Sequence, residues 1–204
     1  MTPETMIQRL FACLLALFVL ASPAHAQASP AVPAMTVHLV PIGSFSPERI
    51  DRLAAYLEKR FGLAVRKHPQ VSLTKQMIDY SRRQVPAQEI LDVLEARRIE
   101  WLRQERGIVI GLTSYDMYIR GLDWDFAFAA REEPALAAVS TWRMDEANLG
   151  KRSDEERLFE RLKKMASKMV GALALGRPAS EDPASGMFGA VRSLEDLDRM
   201  GEEF

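Results

Sequence analysis

From position 35 the chain reads "MTVHLVPIG", β-branched and apolar at nearly every position, which predicts a first strand carrying His38 on one face. A histidine set among valines in a strand reads as structural rather than as a ligand. Helical spacing follows. Ser46-Pro47-Glu48 supplies a cap, a proline at the first helical position and an acid in the first turn, and Ile50, Leu53, Ala54, Leu57 and Phe61 recur on one stripe until Gly62. "LAVRKHPQV" predicts a second strand with an exposed His68 ahead of its proline. "SRRQVPAQEILDVLEARR" predicts a second helix, entered near Pro86 and burying Ala87, Ile90, Leu91 and Leu94. "RGIVIGLT" is a near-continuous apolar run, the mark of a strand covered on both faces. The βαβαβ order implies an α/β (α+β) chain with helices packed on a mixed sheet. "GLDWDFAFAA" and "LAAVSTWRM" predict two more strands. A long helix is predicted over 153–175, with Ser153 as cap, Asp154, Glu155 and Glu156 facing the dipole, and Leu158, Leu162, Met165, Met169 and Leu173 forming one buried stripe.

The first 26 residues are of another kind. Arg9 precedes the apolar run "LFACLLALFVLA", and Ala24-His25-Ala26 follows it, a three-part pattern that predicts an export signal cleaved after Ala26. The run has about 12 residues where a spanning helix needs ~20, so no stable membrane insertion is expected after cleavage. Residues 27–36 are small and proline-rich and read as a flexible lead-in to a single domain over 37–204. The expected location is periplasmic or secreted. Cys13 is the only cysteine and lies within the signal, so the mature chain has no thiol for a disulfide, a metal or nucleophilic attack. The net charge of −1, from 27 basic and 28 acidic residues, provides no field for a polyanion and argues against nucleic-acid binding. Charged runs such as "REEP", "SDEER" and "EARR" read as solvated faces.

Five blocks in order, "LVPIG", "SRRQVPAQEIL", "GLTSYDMYIRGLDWDFAFA", "AAVSTWRM" and "SLEDLDRMGEEF", resemble the archaemetzincin family of zinc-dependent peptidases over most of residues 37–204. The resemblance implies a metzincin-like fold: a mixed, mostly parallel twisted sheet with packed helices and a long former active-site helix. Family members carry H-E-x-x-H-x-x-G-x-x-H on that helix and a methionine turn after it. Histidines four apart share a helix face, the glycine lets the chain turn, the third histidine completes the site, and the glutamate takes a proton from zinc-bound water. This chain has no histidine after His68. Placed without gaps so that its glycine-containing end falls on Ala174-Leu175-Gly176, the motif puts Ser167 and Gly171 at the helical histidines, Lys168 at the glutamate and Arg177 at the third histidine. Met187 in "SGMFG" matches the methionine turn, while the family's cysteines for a second zinc are absent. No metal, cofactor or catalytic residue is therefore expected.

Two readings follow. In the first, the chain is an exported, catalytically inactive archaemetzincin-like protein, a pseudopeptidase that binds a peptide or a cell-envelope protein. Such folds hold extended substrates against an exposed edge strand, and Trp124, Phe126 and Phe128 alternate along the candidate peptide-binding edge; the same spacing also suits plain core residues. Ser167 and Gly171 would then line a vacated cleft facing the Met187 loop, with Arg177 either pointing into it, against Asp182, Glu160 or an incoming carboxylate, or solvated past the helix end. In the second, the chain is a hydrolase with an unorthodox site, using Ser167 activated by Lys164 or Lys168, or a hard cation held by Glu160, Glu181 and Asp182.

Overall fold

The structure, a computed structural model, describes residues 35–103, 105–189 and 191–204. The predicted signal and most of the lead-in lie outside the described residues. Strand β1 (Thr36–Ile42) is buried at every position because helices cover both its faces. Val37 and Leu39 point to one side, with Ile108, Ile110 and Leu112 of β4 (Gly107–Thr113) and Ala137 and Val139 of β7 (Leu136–Ser140). Helices α1 (Pro47–Phe61), α3 (Glu155–Leu173) and the short α4 (Leu194–Arg199) pack there. Val40, Ile42, Val109, Leu136 and Ala138 face the other way, onto Ile90, Leu91 and Leu94 of α2 (Ala87–Trp101). Gly111 belongs to this second face. A Cβ there would stand 2.9 Å from Leu94 Cδ1 and 3.2 Å from Ile90 Cγ2, so glycine sets how closely α2 can approach.

The five-stranded sheet has the order β2-β1-β4-β7-β6, with β2 at Ala64–Lys67 and β6 at Ala129–Glu132. All pairs are parallel except β6 with β7, in which Ala129 faces Val139 and Glu132 faces Leu136. A separate two-stranded parallel sheet joins β3 (Val85–Pro86) to β5 (Met117–Tyr118). The mixed, mostly parallel sheet between helices is the architecture the sequence implied. None of the described helices is long and apolar enough to cross a membrane.

Three elements differ from their predicted extents. The strand predicted over 121–130 is confined to Ala129–Glu132. Ahead of it, the carbonyls of Trp124 and Asp125 accept from Arg82, that of Asp125 also from Gln84, and Ala127 N–H donates to Met117, so the backbone is committed to loop contacts rather than to a ladder. The second helix begins at Ala87, after Pro86, because residues 80–83 form a turn closed by the Asp79–Gln84 bridge. Helix α3 starts at Glu155 with Asp154, not Ser153, as its cap: the Asp154 carboxylate accepts from Arg157 N–H, while Ser153 Oγ donates to Asp145. α3 also buries more than one stripe. Every residue from Met165 to Gly171 is buried, since α1, the sheet and the C-terminal segment surround its second half.

His38 is structural, as its setting implied, but His68 is half-buried rather than exposed. Its ring stacks 5.0 Å from that of His38 and 4.3 Å from that of Trp101, and His68 Nε2 lies 2.8 Å from His38 Nδ1. His38 Nε2 lies 3.3 Å from Glu105 Oε1 but outside hydrogen-bonding geometry. Burial first, and then the facing His68, hold the His38 imidazole down to about 4 despite Glu105; burial and Arg66 lower His68 as well. An unfolded chain takes up these protons near the ordinary histidine value of about 6.5, and the native state does not. Stability is therefore fully present above about pH 6.5 and is lost as pH falls towards 4, by up to about 3 kcal/mol from His38. Urea unfolding at about pH 7 and about pH 4.5 measures this, and His38→Phe should flatten the dependence; an unchanged slope would show that the pair does not titrate as described.

Candidate active site

The outer edge of β6 pairs with no strand among the described residues, and beside it lies a groove of about 340 Å³. One wall is the segment from Trp124 to Arg131, the second is α3 through Met165, Lys168 and Met169, and the third is the loop with Gly189, Val191 and Arg192. Phe126 and Phe128 meet edge to face at 5.1 Å, the Arg143 guanidinium covers Phe126 at 4.9 Å, and Arg192 covers Trp124 at 5.5 Å. The three predicted aromatics therefore converge on the groove, though from the loop ahead of the edge strand rather than from the strand. Their settings differ: Phe128 is buried in the core, Phe126 is partly buried against it, and Trp124 is 40% exposed.

The predicted former site residues separate into different environments. The Ser167 hydroxyl is buried and donates to Tyr56 Oη of α1 at 3.3 Å, so it turns away from the Met187 loop it was expected to face. Gly171 does face that loop: a Cβ there would stand 2.7 Å from Met187 Sδ and 2.9 Å from the Phe204 ring, which together fill the space beside it. Met187 is buried. Arg177 is exposed and makes no ion pair with Asp182 or Glu160 among the described residues; its backbone N–H donates to Gly171 C=O at 2.8 Å. Lys168 lines the groove. Its ammonium donates to the Phe188 carbonyl, and burial, then the Arg131 charge, push it down to about 8.

The serine–lysine arrangement is not assembled. Lys164 Nζ donates to the carbonyls of Leu197 and Asp198, Lys168 to that of Phe188, and neither is hydrogen-bonded to Ser167. Nor do the residues fit zinc, which takes imidazole, thiolate or carboxylate donors. The groove offers two thioethers, an ammonium, two guanidiniums and the single carboxylate of Asp125. Among the described residues, no three or more His, Cys, Asp or Glu side chains are grouped so as to hold a metal. Nothing in the sequence marks Arg161 as buried, because it stands in a charged, helix-forming run, whereas Lys168, at the motif's glutamate position, does line the groove.

No family model matches the chain, and no curated protein matches it. Solved structures do. The archaemetzincin of Archaeoglobus fulgidus, in complex with malonate, is similar at 25% identity and a TM-score of 0.65, over 83% of this chain and 95% of that one. The archaemetzincin of Methanopyrus kandleri is similar at 27% identity and a TM-score of 0.68, over 86% of this chain and 91% of that one. A zinc-dependent peptidase from Methanocorpusculum labreanum shares the fold at 21% identity and a TM-score of 0.71, over 82% and 95%. The mostly parallel sheet, the antiparallel edge strand and the long helix beside the groove thus define a metallopeptidase-like fold. Within it the chain is archaemetzincin-like and degenerate, since its sequence retains none of the motif's histidines.

Proposed function

We propose that this protein is an exported pseudopeptidase that holds extended peptides against the free edge of β6 and does not cleave them. The observation that carries the reading is the edge of β6, unpaired among the described residues, beside a groove with an apolar aromatic wall and, among those residues, no metal-ligand set. Main-chain pairing to a strand edge needs no metal, and alternate side chains of the guest can enter the groove. Export rests on Arg9, the apolar run and Ala24-His25-Ala26.

The backbone favours a register of the lost motif two residues later than the gapless placement. The motif's glycine serves to turn the chain, and the glycine after α3 with a left-handed backbone is Gly176, at φ 62°. Counting from it, the helical histidines fall on Met169 and Leu173, the glutamate on Val170 and the third histidine on Ala179. Met169 lines the groove, whereas Ser167 is turned to α1. Each ligand position is then apolar, so the cleft has become a surface for side-chain contact.

The test is a titration of the mature protein with an N-acetylated apolar tetrapeptide pool, followed by amide NMR and by mass spectrometry of the peptides. Shifts concentrated at Ala129–Glu132 with the peptides intact are expected. Chelator-sensitive cleavage products would overturn the proposal, as would the absence of any shift along β6.

A further inference from the structure

Resting on the peptide-groove reading, we infer that Lys168 is the anchor for a carboxylate carried by the bound peptide. Of the other cations on α3, Arg161 pairs with Asp198 at 2.7 Å and Glu146 at 3.3 Å, Lys163 pairs with Glu160 at 2.8 Å, and Lys164, which donates to the carbonyls of Leu197 and Asp198, is only partly buried and keeps access to water. Lys168, only 6% exposed, has a backbone carbonyl and no carboxylate within ion-pair distance among the described residues. It stands in the wall of the groove, not in the closed core. A charge withdrawn from water without a counter-ion is costly, and an arriving carboxylate offsets part of that cost while leaving the carbonyl contact in place. The surroundings have the same sign. Arg131 and Arg192 also line the groove, Arg131 held by Glu133 at 3.1 Å, against the one carboxylate of Asp125. The lowered proton affinity of Lys168 agrees with this geometry, since a cation destabilised by burial and by Arg131 gains most from an anion. Trp124 and Phe126, backed by the buried Phe128, form the apolar wall for neighbouring side chains, so the guest expected is a peptide of apolar residues with one acidic group.

Two sources share that chemistry, a C-terminal carboxylate and an acidic side chain, and three N-acetylated tetrapeptide pools separate them. One has randomised apolar residues and a free C-terminus, the second is its carboxamide, and the third is a carboxamide with one glutamate. Binding to the mature wild-type protein is followed by calorimetry and amide NMR. At least one acidic pool is expected to bind about tenfold or more tightly than the neutral pool, and which one identifies the source. Lys168→Met, similar in length and apolar, should reduce that preference to near unity. Equal binding of all three pools to wild type would overturn the inference and leave the groove reading intact. Binding of none would overturn both. Because the comparison of pools uses wild type alone, it decides the inference even if the variant does not fold.

Discussion

Replacing Arg161 with alanine is expected to remove about 3–5 kcal/mol of stability, read as a lowered urea midpoint with an unchanged slope. Arg161 lies near the middle of α3 and is 2% exposed. Its Nε and one terminal nitrogen each reach an Asp198 oxygen at 2.7 Å, the other terminal nitrogen donates to the Met144 carbonyl at 2.8 Å, and Glu146 lies at 3.3 Å. One side chain thus ties α3 to α4 and to the turn after β7. Truncation would leave the buried Met144 carbonyl without its donor, leave the mostly buried Glu146 with only Arg157 at 3.5 Å, and open a large void. Asp198 is half-exposed and recovers water, and Glu146 keeps Arg157, so the loss is expected to come chiefly from the carbonyl and the void. Arg161→Met keeps the stem and should recover the packing share only. A methionine variant as stable as wild type would show that the polar network contributes nothing.

Grafting histidines at Met169, Leu173 and Ala179 is expected to create a zinc site, with one ion per chain after dialysis. The stabilisation by zinc at 1,000 times its dissociation constant would be about 4 kcal/mol. Positions 169 and 173 are four apart on one helix face, and Gly176 turns the chain before Ala179, the spacing that three imidazoles around zinc require. The matching graft at Ser167, Gly171 and Arg177 should hold no zinc. A side chain at Gly171 would collide with Met187 and Phe204, and Ser167 faces Tyr56. Elemental analysis and thermal melts with and without chelator read the outcome, with circular dichroism reporting whether each variant folds. Zinc in the second graft and none in the first would reverse the proposed register.

Much of the fold was legible because its signals are local. Ser46 and Gly62 delimit α1 through hydrogen bonding and a left-handed backbone that belong to a few neighbouring residues. The short, β-branched apolar runs of β1 and β4 reveal strands covered on both faces, since their length and branching favour a strand over a buried helix. The missing ligands were legible too: no arrangement of a chain without histidines after His68 can rebuild the motif.

The groove was not legible. The segment around Trp124 has the alternation of a strand, but Arg82 and Gln84, some forty residues away, take its carbonyls, and no local pattern carries that information. Ser167 looked like the lining of an emptied cleft until the packing of α1 brought Tyr56 to it, and the lone His68 gained its partner only when β2 was laid beside β1. By itself the sequence determined the layered fold and the loss of the zinc motif, both of which follow from residue types and their spacing. Only the tertiary structure decided which face of α3 meets the groove and that Lys168 is buried there without an anion. Both depend on what distant segments place around the helix.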